Sequence, residues 1–526
     1  MESLPRRRIP VQTYGFFLLL FALVLLCGHL SFLTLPYYWD EAGYYVPAAL
    51  DIYHGAGAIP HSVVPNVHPP AVMAYLAAAW RVAGYHPAVT RGAMLLVAAF
   101  SLLAVFLLAI ELSRELRGAP AFLAAALMCC SPLFFAQSMM AQLDAPAMLF
   151  TALALLFFLQ DRIALSAAAC VALVMVKETG IVAPLVFCLW LAREGRWRDA
   201  AFFLAPALAL GAWMLALLRV TGHWLGSSGF AQYNLYYPLH PARLALALLR
   251  RVYTLAFANF HWIGAFAVLY AWRFSRIFRT RSWRIAWRLL GAQVLLVTLL
   301  GGAVLERYLL PALPILYAAM AAGFSLYGRF PRVVCSVAML AGMVACIVIN
   351  PPYPFPYEDN LAFTDFVKLH ANAADFLEHW YSGARVATIW PMTLELTHPE
   401  AGYVHRPMAV TRLPSLTPDA LERLDWGKVQ VLAVFSRNWD PPFSLMHWRP
   451  ILRLWRHFYG YVPVATLAET RALVPFQVAQ HFERHGQWVD IYIAPGTPVT
   501  PSAAAPETRV NWPAGRWSAR QTGAAR

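Results

Sequence analysis

Charged side chains are concentrated in the segments that join long apolar stretches of this chain. Asp40 and Glu41 directly follow the first apolar stretch, and Asp144 stands in a short turn before a later one. Charges are costly beside stretches long enough to enter a membrane, so they indicate a functional site. A carboxylate in such a place can take a proton from a nucleophile. The residue types therefore favour general-base chemistry.

Three potential cations accompany the carboxylates. His68 precedes two prolines, Lys177 stands next to Glu178, and Arg307 stands next to Tyr308. Cations can hold a phosphate and stabilise the charge that grows on it when it leaves. Under one topology all of these segments lie on the same membrane face. Together they have the groups needed to take a proton from a nucleophile while a phosphate is held.

Each position also has a structural explanation when it is considered alone. Asp40 and Glu41 could solvate a helix end beside the lipid headgroups. Asp144, two residues before a proline, could cap a helix N-terminus. Lys177 could extend its ammonium group from a helix end to the interface, and a lone histidine such as His68 is more often structural than catalytic. The shared membrane face favours the functional interpretation.

The composition excludes a soluble enzyme. Of 526 residues, 60% are hydrophobic, 14% aromatic and only 13% charged, against about 25% charged in soluble domains. The net charge of +14 comes almost entirely from arginine, because only Lys177, Lys368 and Lys428 are lysines. The seven cysteines lie within or beside apolar runs, which argues against a disulfide framework or a cysteine-based zinc site in the polar C-terminal part. The chain is a polytopic membrane protein.

About eleven apolar segments have a length suited to crossing a bilayer as helices. They cover residues 12–35, 88–111, 119–137, 144–160, 163–176, 179–192, 199–219, 256–273, 286–304, 308–327 and 333–350. The fifth and sixth could instead form one long kinked helix. The first is too long for a signal peptide and is predicted to be retained. Placing the N-terminus in the cytoplasm gathers the arginine-rich connections there, and an odd number of spans leaves the C-terminal part outside.

The composition changes after residue 350. Residues 351–495 alternate helix-like segments (361–379, 418–424, 450–459) with short β-rich runs (385–390, 429–435, 488–494), which predicts an extracytoplasmic α/β domain. Residues 1–350 would form the transmembrane domain. Residues 496–526, rich in Pro, Ala and Arg, are predicted to be a disordered tail.

These motifs, in this order, resemble the GT-C membrane glycosyltransferases. The nearest relatives in pattern are glycosyltransferase family 39, which includes the protein O-mannosyltransferases and the lipid A aminoarabinose transferases. The resemblance covers roughly residues 10–350. It is carried by Asp40-Glu41, His68-Pro69-Pro70, Asp144-Ala145-Pro146, Lys177-Glu178 and Arg307-Tyr308-Leu309-Leu310-Pro311. It implies an all-helical membrane domain that transfers a sugar from a polyprenyl-phosphate donor to an acceptor hydroxyl at the outer face, with inversion.

The resemblance also implies roles for the residues. Asp40 would be the general base, and Glu41, the second catalytic candidate, would orient the acceptor or a metal. The donor phosphate would be held by Lys177, Arg307 and His68, although the aminoarabinose transferases have Lys-Pro where this chain has His68-Pro69. The remaining candidates form an acceptor or metal site and are Asp144, Glu178 and Tyr308.

The partners expected from this pattern are the lipid-linked donor, a protein, glycan or lipid acceptor, and membrane lipids, with no nucleic acid. No Asp-x-Asp motif, phosphate-binding loop or dinucleotide fingerprint occurs in the sequence, which disfavours a nucleotide-sugar donor. No cofactor is certain, and a divalent cation between Asp40 and Asp144 remains open. The location would be the cell (inner) membrane. The alternative function is a transporter or flippase of a lipid-linked substrate.

Overall fold

The structure is a computed structural model that describes residues 11–114, 116, 120–350, 358–436 and 445–499. The arginines at 6–8 and nearly all of the tail predicted to be disordered, residues 500–526, lie outside the described residues. The described part is mostly helical, with a small sheet near the C-terminus. The predicted fold class, a polytopic helical membrane protein followed by an α/β unit, is confirmed.

Helices account for almost all of the regular structure up to residue 348. Apolar stretches adopt helices because backbone polar groups in lipid must be satisfied within the segment itself. The α-helices are α1 (Val11–His29), α2 (Val46–Tyr53), α3 (Ala71–Ala83), α4 (Pro87–Leu112), α5 (Ala121–Cys129), α6 (Pro132–Gln137), α7 (Asp144–Leu159), α8 (Ile163–Val176), α9 (Val182–Arg193), α10 (Trp197–Ala201), α11 (Leu204–Thr221), α12 (Ser228–Ala231), α13 (Pro241–Ala256), α14 (His261–Phe274), α15 (Arg281–Leu299), α16 (Leu313–Ser325) and α17 (Arg329–Val348).

Short turns of tighter or wider helix lie between these α-helices. The 3-10 turns are Leu30–Phe32, Glu178–Ile181, Ala258–Phe260, Ile277–Arg279 and Glu306–Ala312, and the π-helical turns are Glu41–Tyr45 and Gln232–Tyr236. Three of them contain predicted site residues. Turns of this kind are frequent where a helix is interrupted at a functional site.

Not every predicted span is long enough to cross a bilayer by itself. Within the described residues, the helices that meet the length and hydropathy required are Gln12–Phe32, Pro87–Leu112, Trp197–Thr221, Glu306–Ser325 and Arg329–Val348, and the pair Pro241–Ala256 and Ala258–Phe274, bent by 47°, makes a sixth. Segment 286–304 overlaps α15, which has 19 residues but carries Arg281, Arg284 and Arg288, and the remaining predicted segments contain shorter helices. Because α8 and α9 are separate helices, the single kinked helix is not observed. The number of crossings stays a prediction.

The C-terminal unit is built on one five-stranded sheet. Its strands are β1 (Val386–Thr388), β2 (Val410–Arg412), β3 (Val431–Phe435), β4 (Gln477–Arg484) and β5 (Gln487–Ile493), in the order β2-β1-β3-β5-β4. Strand β1 is parallel to both β2 and β3, whereas β5 is antiparallel to β3 and β4. Two of the predicted β-rich runs contain β1 and β3, and the third overlaps β5 in all but its first residue, Gln487. Strands β2 and β4 were not predicted, because neither has a buried apolar face.

Helices flank this sheet and include the predicted ones. They are α18 (Ala362–Trp380), α19 (Met392–Thr397), α20 (Pro418–Glu422), α21 (Arg449–Tyr459) and α22 (Leu467–Leu473), with 3-10 turns at Pro399–Ala401, Trp426–Lys428 and Leu445–His447. The predicted segments 361–379, 418–424 and 450–459 correspond to α18, α20 and α21.

The C-terminal unit packs on the loop that follows α1. The Tyr37 amide donates to the Ala401 carbonyl at 3.0 Å, and the Tyr403 hydroxyl donates to the Tyr37 carbonyl at 3.0 Å. The Tyr85 hydroxyl donates to the Glu400 carbonyl at 2.5 Å. These bonds place the unit next to Trp39 and Asp40, at the start of the predicted site.

Helices α14 and α16 approach each other closely at small residues, as helices in membranes commonly do. A Cβ added at Gly323 would lie 2.6 Å from the Ala267 carbonyl oxygen, which is backbone and cannot rotate away. We expect Gly323→Ala to lower the free energy of unfolding by about 1–3 kcal/mol because of this overpacking. Thermal unfolding of the purified protein in detergent measures the effect. The control Gly211→Ala, in α11 with nothing within 4 Å, should not lower stability, and equal losses for both variants would contradict the packing argument.

Candidate functional site

A large cavity of about 640 Å³ lies where the predicted residues converge. Six of the eight candidate residues line it, namely Asp40, His68, Lys177, Glu178, Arg307 and Tyr308. Asp144 and Glu41 do not line the cavity. Segments more than 250 residues apart in sequence therefore form one site, which supports the interpretation of these motifs as a unit.

The local backbone explains how the first carboxylate reaches the cavity. Trp39 has φ of 40°, in the left-handed region that non-glycine residues rarely adopt. This turn directs the chain from α1 into the π-helical turn Glu41–Tyr45, and the next side chain, Asp40, is left 43% exposed. Such strain persists only where surrounding contacts enforce it, and it is common at active sites.

Arg307 is the centre of charge in the site. Its guanidinium is nearly inaccessible to solvent and forms a short ion pair with Asp40. Its Nη1 lies 3.0 Å from Glu358 Oε2, and its Nε lies 3.5 Å from Asp144 Oδ2. One cation thus faces three carboxylates that come from three separate regions of the chain.

Lys177 provides the second cation beside the same carboxylate. Its ammonium nitrogen lies 2.5 Å from Asp144 Oδ1 and 4.2 Å from the centre of the Tyr308 ring. Asp144 is the first residue of α7, and the N-cap position belongs to Leu143. Asp144 therefore holds the two cations side by side, and the helix-cap explanation does not apply to it.

His68 and Glu178 form a separate pair on the cavity wall. His68 Nδ1 lies 2.8 Å from Glu178 Oε2, and the His68 backbone amide donates to the Asn66 side chain at 2.9 Å. The rings of Tyr44, Tyr45 and Phe230 surround the imidazole.

Glu41 is buried away from the cavity. Both of its oxygens are bound by the guanidinium of Arg91, and it also accepts from the backbone amides of Tyr38 at 3.0 Å and Ala141 at 2.6 Å. With its acceptor positions occupied and no exposure, it has no free oxygen for an acceptor or a metal. The expectation that Glu41 touches the acceptor or a metal is therefore corrected. Its position, directly after Asp40, makes it an anchor for that loop.

Three important residues were missed in the sequence. Arg91 lies inside a predicted span, where a charged residue is a signal of function or pairing, so it could have been found. Glu358 and Trp390 line the cavity from the C-terminal part, and no spacing or motif connects them with the transmembrane residues. Only the tertiary structure identifies these two.

Glu358 has an unusual environment for a carboxylic acid. It is buried, and its contact with Arg307 does not have hydrogen-bond geometry, so neither of its oxygens has a hydrogen-bond partner among the described residues. Burial raises the pKa of Glu358 to about 8, with Arg307 opposing this shift and Asp40 and Asp144 adding to it. Glu358 is therefore largely protonated at pH 7.

A divalent metal between Asp40 and Asp144 finds little support in this geometry. Among the described residues no group of three or more His, Cys, Asp or Glu side chains is arranged to hold a metal ion. Both carboxylates already face Arg307. Lys177 and Arg307, which line the cavity, are suited to an anion.

Solved membrane-protein structures resemble the whole chain. ArnT from Cupriavidus metallidurans bound to undecaprenyl phosphate matches with a TM-score of 0.53 and 13% sequence identity, over 92% of this chain and 99% of that one. The apo form of ArnT matches with the same score and identity, over 91% and 98%. AglB from Archaeoglobus fulgidus, in complex with an inhibitory peptide and a dolichol-phosphate, matches with a TM-score of 0.47 and 12% sequence identity, over 93% of this chain and 74% of that one. A match at this score is too distant to support an argument.

The comparison establishes the fold. No protein-family model matches the sequence, and no curated protein sequence does. At 13% identity the likeness to ArnT concerns the fold alone, and that fold is the GT-C fold predicted from the sequence motifs. The chain is thus a multi-pass membrane protein of this fold.

The pair of Glu41 and Arg91 predicts a large effect on stability. Removing one partner of a buried ion pair leaves the other charge uncompensated, which costs about 3–5 kcal/mol. We therefore expect Arg91→Ala to lower the thermal unfolding midpoint strongly in detergent. Arg114→Ala serves as the control, because Arg114 pairs with Glu111 at 2.6 Å but is 44% exposed, and such pairs contribute at most about 1 kcal/mol. Similar midpoints for both variants would refute the anchoring role.

Proposed function

We propose that this protein transfers a sugar, a hexose or a pentose, from a polyprenyl-phosphate donor to an acceptor hydroxyl at the outer face of the membrane. One observation carries the proposal. A buried arginine and a lysine stand beside a partly exposed aspartate in one cavity, within a fold shared with ArnT, which has been solved bound to undecaprenyl phosphate.

The cations are suited to the donor phosphate. Arg307 and Lys177 line the same cavity and are held together by Asp144. A guanidinium can bind two phosphate oxygens at once, and an ammonium group adds a point charge. The leaving group gains negative charge as the glycosidic bond breaks, so these cations stabilise the transition state more than the ground state. His68, whose Nδ1 lies 2.8 Å from Glu178, would also contact the phosphate, and Tyr308 would keep Lys177 in place.

The cavity lining also suits the lipid part of such a donor. Much of it is apolar and includes Ile181, Leu210, Met214, Leu225, Leu235, Leu296 and Leu300. An apolar wall that adjoins two cations fits a molecule with a prenyl chain and a phosphate head. A soluble nucleotide sugar would leave this apolar surface uncovered.

Asp40 would be the general base. Without substrate its carboxylate pairs with Arg307, and the donor phosphate would take over that cation. Asp40 would then be released to accept the proton of the acceptor hydroxyl while that oxygen attacks the anomeric carbon. A single in-line displacement inverts the configuration there. Glu41, tied to Arg91 and the Ala141 amide, would act as a positioning residue for the Asp40 loop.

Several finer points belong to the same proposal. The protein would lie in the inner (cell) membrane with a cytoplasmic N-terminus, so that the cavity and the C-terminal unit face outward. A divalent cation remains a candidate cofactor, but no step described above depends on it. The acceptor would be a protein, a glycan or a lipid.

The base assignment predicts a specific loss of activity. We expect Asp40→Asn to lower the rate of sugar transfer by about 10²–10⁴-fold, since general-base catalysis contributes this much. The variant should still bind the donor, because it removes an anion that competes for Arg307. Sugar release from polyprenyl-phosphate sugars by purified protein in lipid nanodiscs measures the rate, and equilibrium binding of the same lipid measures affinity.

Asp51→Asn is the matched control for this experiment. Asp51 lies in α2 of the same loop and accepts hydrogen bonds from the His61 and Ser62 amides at 2.7 and 2.9 Å, outside the cavity. Its replacement should leave transfer unchanged. Full activity of Asp40→Asn would remove Asp40 as the base, and lipid movement across the bilayer without sugar release would favour the transporter.

The buried carboxyl group of Glu358 predicts a pH dependence of donor binding. The pKa of Glu358 is about 8, so at lower pH the group is protonated and leaves Arg307 to the phosphate. As the pH rises through that value, the carboxylate forms and competes with the phosphate for Arg307. We expect the dissociation constant of a polyprenyl-phosphate sugar to rise about tenfold from pH 7 to pH 9 in the wild type. The donor is a phosphodiester, so its own charge is constant. Glu358→Gln should remove most of this rise, and an unchanged rise would show that another group titrates.

A further inference from the structure

Two tryptophans that are far apart in the sequence lie together beside Asp40. The rings of Trp39 and Trp390 have centroids 5.5 Å apart and planes inclined by 55°, and both line the cavity. The indole of Trp39 also stacks with the Tyr38 ring, with centroids 5.2 Å apart. Both indoles are only partly buried. Together they form an aromatic surface next to the proposed base.

The sheet of the C-terminal unit places Trp390 there. Trp390 follows the carboxyl end of β1 by two residues. The order β2-β1-β3, with all three strands parallel, means that the chain leaves β1 toward one side and then crosses to the other. In such sheets ligands bind outside the carboxyl ends of the strands, at the point where the order reverses. This unit turns that end toward the transmembrane cavity.

The first loop contacts the C-terminal unit next to Trp390. A Cβ added at Gly43, on the turn that follows Asp40, would lie 3.9 Å from the Trp390 ring. The backbone bonds from Tyr37 to Ala401 and from Tyr403 to Tyr37 fix the two segments against each other. The two tryptophans therefore lie at a hydrogen-bonded interface between the first loop and the C-terminal unit.

We propose that Trp39 and Trp390 form an acceptor subsite for a neutral saccharide, which they hold with one hydroxyl at Asp40. The inference rests on the proposed function, because it names the acceptor of that reaction. A pyranose ring has flat faces of C–H groups that pack on indole rings, while its hydroxyls remain free at its rim. An aromatic surface can pack against the C–H face of the sugar, and a carboxylate beside it can accept a hydrogen bond from one hydroxyl.

A peptide acceptor fits this place less well. Extended peptides are commonly recognised by adding a strand to an exposed sheet edge. Strand β1, the one that leads to the cavity, already has β2 on one side and β3 on the other. It therefore has no free backbone edge to offer.

A phosphorylated acceptor also fits less well. Asp40 and Glu358 line the same cavity and would repel a second anion whenever they are ionised. Within the described residues, Lys177 and Arg307 are the only lysine or arginine side chains that line the cavity, and the donor phosphate uses both. The acceptor is therefore an uncharged sugar unit, either free or at the end of a glycan.

Saturation-transfer NMR with methyl hexopyranosides tests the assignment on full-length protein in nanodiscs. We expect the wild type to transfer saturation to the C–H protons of at least one glycoside. Trp390→Ala should weaken that binding about tenfold or more, because an aromatic contact is lost, and Trp390→Phe should recover part of it. Trp380→Ala, which removes a 43% exposed tryptophan at the end of α18 outside the cavity, should bind as the wild type does.

Three other outcomes would overturn the inference. Wild-type protein that binds no glycoside has no such subsite, and this result does not depend on any variant folding. Equal binding by the wild type and a folded Trp390→Ala would place the sugar elsewhere. Binding of a Ser/Thr-containing hexapeptide that Trp390→Ala abolishes would assign a peptide instead.

A parallel measurement separates this inference from the proposed function. Binding of undecaprenyl phosphate to the wild type in the same nanodiscs tests the donor side alone. If the lipid phosphate binds and glycosides do not, the saccharide subsite fails and the donor assignment stands. If the lipid phosphate does not bind, the proposed function fails, and glycoside binding would then have to be explained by another activity.

Discussion

The ion pairs of Arg307 hold the site together. This one guanidinium faces Asp40 from the first loop, Asp144 from the start of α7 and Glu358 from the segment before α18. In a buried site, charges attract more strongly than in water, and an unpaired charge is costly. The three segments must therefore meet at Arg307, although they lie far apart in the sequence.

The arrangement has more acidic than basic groups around the cavity centre. Asp40, Asp144 and Glu358 outnumber Arg307 and Lys177, and burial of Glu358 raises its pKa, so a proton corrects the imbalance. Under the proposed function, an arriving phosphate would replace a carboxylate on the arginine. The anchor formed by Glu41 and Arg91 differs, because every acceptor position of Glu41 is occupied. The adjacent acids Asp40 and Glu41 thus differ: Asp40 is partly exposed and paired with Arg307, whereas Glu41 is buried and fixed by Arg91 and two backbone amides.

The C-terminal unit contributes to the same cavity and is not merely attached to the membrane part. It supplies Trp390 from the end of β1 and is held to the first loop through Tyr37 and Tyr403. Under the proposed function this position has a physical reason, because a transferase that takes a lipid donor from the bilayer would need a second surface, outside the bilayer, to present the acceptor. The two parts of the chain would then build the donor side and the acceptor side of the cavity.

The sequence by itself determined the class of protein and most of the cavity's charged groups. Apolar runs of span length require helices in a membrane, and charged residues are so unfavourable there that Asp40, His68, Lys177 and Arg307 could be recognised together, once one topology placed them on the same membrane face. Only the tertiary structure decided which charged side chains pair with each other. Pairing depends on distances between segments that no periodicity encodes, so the sequence could not separate the exposed Asp40 from the buried Glu41, or bring Glu358 and Trp390 to the cavity.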